Sequence, residues 1–284
     1  MEKKVHALDG SRAKVKRAEA QLIGLQRDCE RFFKENPNIV VRGEFDKRAK
    51  NYPIIVKKCA SELPEQWSVI IGEIGHDLRS ALDLLAWQLA RLNNDKPYAR
   101  TGFPIYLVGR TDRRDRKNNI IPQFWHKGHG LRLLQSIDRR YWTRIEAFQP
   151  YKRGNRGMRS LLFLLSELNN TNKHRLIPIL FASVGSHQVT GFFGGGSKIK
   201  VGVPIRQNAK IGWINPIPFA VPVLHSDGER FAIRMQEETQ AKFDVFSSLR
   251  FGDGCYAVRN LPIFLTLDNI RKVLLNLSLV ISDG

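Results

Sequence analysis

The chain is poor in cysteine, in acidic residues and in long apolar runs, and each shortage excludes something. Three cysteines stand in 284 residues, Cys29, Cys59 and Cys255, far apart and with no C-x-x-C pair. That spacing excludes a disulfide framework and fits a reducing compartment. No uncharged apolar stretch reaches the ~20 residues that span a bilayer. The nearest, 261–282, is interrupted by Asp268, Arg271 and Lys272 and predicts a buried helix. The N-terminal MEKKVHALDGSRAKVKR has charge but no apolar h-region, so no secretory signal, a cytoplasmic location and no membrane partner are expected.

Motifs of common chemistries are also missing. There is no G-x-S-x-G, no H-E-x-x-H and no dinucleotide fingerprint, and no cofactor is expected. His126 and His129 could ligate a metal, but no cysteine or carboxylate cluster completes the set, so no metal is expected. Gly191–Lys198 (GFFGGGSK) has the glycines of a phosphate loop, yet it ends in Ser-Lys among strand-forming residues and predicts a hairpin turn.

What the chain has is positive charge. Forty-six Lys and Arg face 27 Asp and Glu, a formal net charge of +19, with an isoelectric point near 10.2. Between Lys96 and Arg175 stand eighteen basic and five acidic residues, a local net charge of +13. Such a concentration favours a polyanionic partner, because neutralising phosphates releases counterions whatever the sequence. Hydrophobic content of 42% with 26% charge belongs to a folded chain rather than a disordered one.

Periodicity predicts a first helix over 11–35, stopped by Asn36-Pro37-Asn38, then a hairpin from Ile39–Val41 and Tyr52–Val56. Pro53 would place the second of these strands at a sheet edge. A second helix opens at Pro64 and runs to about Asn93, with Trp67, Ile71, Ile74, Leu78, Ala81, Leu82, Leu85, Leu89 and Leu92 on its apolar side. A loop-rich basic segment precedes a third helix over 131–148 and a fourth over 159–168. Residues 177–256 are rich in Val, Ile, Phe, Gly and Pro, with turn signals at Gly185-Ser186, Gly194–Gly196, Asn215-Pro216 and Asp227-Gly228, and predict antiparallel strands. A helix over 261–281 closes the chain. The expected class is α+β: a helical bundle with an N-terminal β-hairpin, and a C-terminal antiparallel β-rich region closed by a last helix. The expected division is 1–175 for the bundle and 176–284 for the β-rich region, whose last helix packs back on the bundle, as two domains or one continuous one.

Two polar clusters stand out. On the second helix, at about 100° per residue, His76, Arg79, Asp83 and Trp87 lie opposite the Ile74–Leu78–Leu82–Leu85–Leu89 stripe. An imidazole, a guanidinium and a carboxylate on one stripe can move a proton, stabilise developing phosphorane charge and orient one another. The same spacing also describes a solvated face with an ordinary Arg79–Asp83 i,i+4 pair. The second cluster, Asn169 to Arg175, has the composition of a helix C-terminus; with Lys173, His174 and Arg175 facing the His76 stripe it would complete an anion site.

The segments His76–Trp87, Phe103-Pro104-Ile105, Phe148-Gln149-Pro150-Tyr151 and Leu168–Arg175 resemble, in order, the motifs HNLRSALDHLxW, FPI, LQPY and LNNxDKHR of a bacterial family with no established activity. The resemblance covers roughly 70–176 and implies membership rather than chemistry. More loosely, the Arg79 region resembles the helical HEPN-type ribonucleases, whose motif is an arginine, four to six intervening residues and then a histidine. Here Leu84 stands at the matching position, and Asp77 and Asn172 replace the family's Asn and Asp. That resemblance implies a degenerate or altered site, with His76, Arg79, Asp83 and His174 as its catalytic candidates.

The nucleic-acid contacts expected are Arg110, Arg113, Arg114, Arg116 and Lys117 in the basic loop. Arg139, Arg140, Arg144, Lys152 and Arg153 join them amid Tyr141, Trp142 and Tyr151, and Lys173 and Arg175 at the second cluster. Cations mixed with aromatics suit single-stranded nucleic acid, where rings stack on bases, although Tyr141 and Trp142 also read as core residues. Three functions are therefore expected in order. The first is a nucleic-acid-binding protein, RNA before DNA; the second is a metal-independent ribonuclease of toxin or defence type; the third is a non-catalytic structural or interaction scaffold. A homodimer is among the assemblies to expect, and whether the chain is an enzyme stays open, with Leu84 favouring binding.

Overall fold

The computed structural model describes residues 9–60, 62–107, 113–114, 120–121, 123–125, 129–174, 180–190, 197–214, 223–224, 230–231, 242–252 and 257–282. In chain order the elements are α1 (Asp9–Glu35), β1 (Ile39–Arg42), β2 (Tyr52–Lys58), α2 (Glu65–Asn93), β3 (Arg113–Arg114), β4 (Ile120–Ile121), α3 (Gly130–Leu134), α4 (Trp142–Ala147), α5 (Leu161–His174), β5 (Leu180–Thr190), β6 (Ser197–Ile199), β7 (Lys210–Ile214), β8 (Val223–Leu224), β9 (Arg230–Phe231), β10 (Lys242–Phe251) and α6 (Ile263–Ser282). The protein is α+β, and its strands pair antiparallel wherever a register is defined. No helix among the described residues is long and apolar enough to cross a membrane.

Contacts divide the chain into two compact units. One comprises Met1–Asp28, Pro64–Leu180 and Phe251–Gly284; the other comprises Cys29–Leu63 and Phe181–Arg250. The N-terminal hairpin thus groups with later strands, and the closing helix groups with the bundle.

In the helical unit α2 is the central element, packed against both α5 and α6. Its spacing of apolar residues works as the periodicity predicts: Trp67, Ile71, Ile74, Leu78, Ala81, Leu82, Leu85 and Leu89 are all buried. Burying side chains of this size stabilises by roughly 1.5–3 kcal/mol each. Leu92, expected on the same face, is instead exposed, since the helix ends a residue later. Gly75 marks the close approach of α5, where an added Cβ would stand 3.2 Å from a Leu168 methyl. From α6, Ile263, Leu267, Ile270, Leu274 and Leu277 are buried.

The third helix expected over 131–148 does not exist as one element. It is broken into α3, a 3-10 turn at Arg139–Tyr141 and α4. The break is stabilised from both sides. The Asp138 carboxylate accepts from the Arg140 N–H and caps the new turn. The backbone at Ser136 and Ile137 accepts from Asn93 and from the Trp142 indole, bonds that an unbroken helix would deny. The fourth helix also differs: two 3-10 turns lie within Pro150–Arg159, separated by a kink at Gly154 (φ 52°), and α5 starts after Ser160, whose hydroxyl accepts from the Phe163 N–H, and continues to His174.

In the second unit the strands form a four-stranded sheet in the order β1-β2-β7-β6, beside a β10-β5 pair. One face packs Ile54, Val56, Val184, Ile199, Ile205, Ile211 and Ile214 into a core. Strand β2 is internal, which overturns the edge position expected from Pro53. The proline fits because its nitrogen side faces Gly43, just past the end of β1. There the Gly43 N–H donates to the Pro53 carbonyl at 2.8 Å, and only the return bond is missing.

Candidate functional site

The four motif segments converge on one place in the helical unit, three of them by hydrogen bonding of side chains to backbone and the fourth by a side-chain contact between Asn169 and His76. Arg79 Nη2 donates to Asp83 Oδ1 at 2.9 Å and to the Phe103 carbonyl at 2.8 Å, and the Phe103 N–H donates to the same Asp83 oxygen at 3.1 Å. One residue is thus held at both its backbone N–H and its backbone carbonyl by the i,i+4 pair of α2. Phe103 itself is fully buried. Two residues on, the loop is held again: Gln149 Oε1 accepts from the Tyr106 N–H at 3.0 Å, and its Nε2 donates to the Pro104 carbonyl at 2.8 Å and the Ile145 carbonyl at 3.2 Å. The Tyr151 N–H donates to the Tyr106 carbonyl. Burial pushes the Tyr106 phenol up, against the opposing pull of the Arg79 charge.

His76 is exposed at the rim of this network. Its Nδ1 lies 3.4 Å from Asn169 Oδ1 on α5 and its Nε2 3.4 Å from Ser80 Oγ. Both contacts are long, and which ring nitrogen donates in them depends on the tautomer. The two polar clusters of the sequence therefore do meet, but through Asn169. Lys173 and His174 close α5 with side chains outside the described residues, and Arg175 lies outside them altogether.

The neighbouring acid is committed too. Glu146 Oε1 accepts from the Trp125 indole at 2.9 Å, from the Tyr151 hydroxyl at 2.6 Å and from Lys152 Nζ at 2.9 Å. Burial raises the Glu146 carboxyl, yet the bonds from Tyr151, Lys152 and Trp125 together outweigh it and hold it below the ordinary carboxylate range. Asp77, beside His76 in sequence, points the other way. It is buried, with Lys14 Nζ at 2.6 Å and Arg17 Nε at 3.2 Å, and it ties α2 to α1.

The expected nucleic-acid contacts fall into three groups. Arg110, Arg116 and Lys117 lie outside the described residues, and Arg113 and Arg114 form β3 with side chains outside them. Arg139, Arg140, Lys152 and Arg153 are exposed, together with Arg156 and Arg159, and Arg144 is half-buried. Of the exposed set, Arg140 lies 3.7 Å from Asp138, and Lys152 is held by Glu146. Two of the three aromatics among them offer no exposed ring. Tyr141 and Tyr151 are buried, and Trp142 is half-buried with its N–H on the Ile137 carbonyl. Arg139 and Arg140 lie over the Trp142 and Tyr141 rings at 5.6 and 4.7 Å.

Sequence reasoning passed over Gln149, Ser80 and Glu146 as individual residues. For Asp77 a signal existed: a carboxylate between Ile74 and Leu78 on the apolar side needs a charged partner from another helix. No group of three or more His, Cys, Asp or Glu that could hold a metal occurs among the described residues. His126 lies outside them, as do Gly191–Gly196; Ser197 and Lys198 continue into strand β6. Compared with family models, curated proteins and solved structures, the chain matches none.

Proposed function

We propose that the protein binds nucleic acid, RNA in preference to DNA, through the basic surface of its helical unit, and that the motif network is the frame holding that surface. The observation that carries this is the concentration of unmatched cation between Lys96 and Arg175, net +13. Arg139, Arg153, Arg156 and Arg159 are exposed along the segment that Gln149 and Glu146 fasten to the frame. Because Arg79 is engaged by Asp83 and by the Phe103 carbonyl, and because Leu84 stands where a HEPN-type nuclease would carry histidine, binding is favoured over catalysis. The test is a salt titration with single-stranded RNA. Affinity should fall steeply between about 50 and 200 mM salt, with a log–log slope of about −0.7 per phosphate engaged. Arg153→Glu/Arg156→Glu/Arg159→Glu should flatten that slope; absence of binding at low salt would end the proposal.

A second reading, a metal-independent ribonuclease, is favoured by the exposure of His76 and by its position beside Asn169 of the second polar cluster. His76 would serve as the acid/base group, with His174 as the alternative. Cleavage of RNA by the wild type, lost in His76→Ala or His174→Ala, would establish it, and equal cleavage in both variants would remove these histidines from any mechanism.

A further inference from the structure

We infer that the outer face of the four-stranded sheet in the second unit is a separate binding surface for single-stranded nucleic acid, centred on Trp213. The strand register builds it. Pro53 on β2, Trp213 on β7 and Lys198 on β6 stand directly opposite one another in one row. That row lies on the face away from the core, because the next row, Ile54–Gly212–Ile199, carries core residues. Alternation puts Ile55 beside Pro53 on this face and Val41 opposite Ile55, both half-buried. Trp213 is likewise half-buried, on an otherwise apolar floor.

Lysines ring it. Lys198 Nζ and Lys200 Nζ lie 5.6 and 5.4 Å from the Trp213 ring centroid, and both side chains are exposed. Lys210 joins them opposite Ile55 and makes the one ion pair found for these three lysines among the described residues, to Asp46 at 4.0 Å. Residues 197–214 contain four cations and no acid. A partly exposed tryptophan flanked by two exposed lysines matches a base with its flanking phosphates. The ring takes the base in place of the ammonium groups, which swing a short distance to the phosphates, and no base identity is read. A duplex hides its base faces and cannot use the ring. The inference rests on the reading of the chain as a nucleic-acid-binding protein and deepens it by naming a single strand as the ligand of this face.

The experiment measures binding of a fluorescently labelled 12-nucleotide oligouridylate, and of an RNA duplex of the same length, to the full chain at low salt. Trp213→Ala should weaken single-strand binding about tenfold and leave the duplex unchanged, while Trp213→Phe keeps a ring and most of the affinity. Lys198→Glu/Lys200→Glu, at two exposed positions, should reduce the log–log salt slope by about 1.4, two phosphates at 0.7 each; this reading stands even where Trp213→Ala does not fold. Single-strand affinity within twofold of wild type in folded Trp213→Ala overturns the inference, as does an equal loss on the duplex or an unchanged slope in the lysine variant. A wild type that binds no RNA at low salt overturns this inference together with the proposed function. Binding that is insensitive to the sheet variants overturns this inference alone.

Discussion

Replacing Arg79 by alanine should cost stability and leave nucleic-acid affinity nearly intact, and the size of the effect follows from the contacts. The side chain is 18% exposed, and its Nη2 serves two acceptors. The bond to the Phe103 carbonyl joins a charged donor to a backbone acceptor, worth about 1.5–3 kcal/mol where both are shielded. The ion pair adds only tenths, because the Asp83 side chain is 43% exposed and solvent screens it. Arg79→Ala should therefore destabilise the chain by about 2 kcal/mol. Arg79→Lys should recover part of this, since an ammonium keeps the charge but not the fixed in-plane directions of the two Nη2 hydrogens.

Asp83→Ala should cost about 1 kcal/mol, by releasing the Phe103 N–H. The double variant should cost less than the sum by about 0.5 kcal/mol, because both residues hold the same peptide. Urea unfolding of the full chain, followed by far-UV circular dichroism, supplies the four stabilities of the cycle. If Arg79→Ala were as stable as wild type within 0.5 kcal/mol but had lost RNA binding, the guanidinium would be a ligand group, and the clamp reading would be wrong.

The other interactions make their own predictions. Tyr151→Phe removes one of the three donors on Glu146 and should cost about 1 kcal/mol at neutral pH. Since the folded carboxyl lies below its ordinary value of 4.5, that stabilisation is present above this value and is lost as pH falls through the folded pKa. The gap between wild type and variant should close on the acid side, as thermal melts from pH 7 to pH 3 would register. Lys14→Met should cost about 2 kcal/mol, because it strips the closest cation from the buried Asp77; Arg17→Met, at a side chain 63% exposed, should cost about 0.5 kcal/mol or less. Equal melting temperatures for these two variants would refute that asymmetry. Gln149→Ala frees the Tyr106 N–H and the Pro104 carbonyl inside the protein and should cost about 2–4 kcal/mol; hydrogen exchange should show faster exchange at the Tyr106 amide.

The parts of the fold legible in the sequence are those where one local pattern decides. The apolar stripe of α2, the closing helix and the Ile39/Tyr52 hairpin emerge from periodicities of 3.6 and 2, and burial bears them out from Trp67 to Leu89. The parts that were not legible depend on partners distant in the chain. Nothing near Ser136 announces that Asn93 and Tyr98 will take its polar atoms and help to divide a helix. Nothing near Pro53 announces that β7 will pair on its far side while β1 stops one residue short. The site shows the same limit. Spacing placed Arg79 and Asp83 on one stripe, as it should, but the stripe reading could not see that a loop twenty residues on would turn its peptide into their gap.

That loop changes what motif residues signify in this chain. Three short segments separated in sequence meet here because two side chains of α2 and one buried glutamine each grip the backbone of the Phe103–Tyr106 loop, and the fourth joins through Asn169 beside His76. Gripping backbone explains the residue types: arginine for one nitrogen with two hydrogens in fixed directions, aspartate for two acceptances on one oxygen, glutamine for a donor and an acceptor together. Residues so used are poorer candidates for chemistry on a substrate, since Arg79 Nη2, Asp83 Oδ1 and both polar atoms of Gln149 are already employed. The chemistry must then be sought where polar groups are not so employed. On the helical unit that means His76 and the exposed arginines from Arg139 to Arg159; on the sheet it means the lysines around Trp213. A frame that spends its strongest hydrogen-bonding residues on holding one loop in place suits a protein whose ligand is recognised by spread positive charge rather than by a deep catalytic cleft.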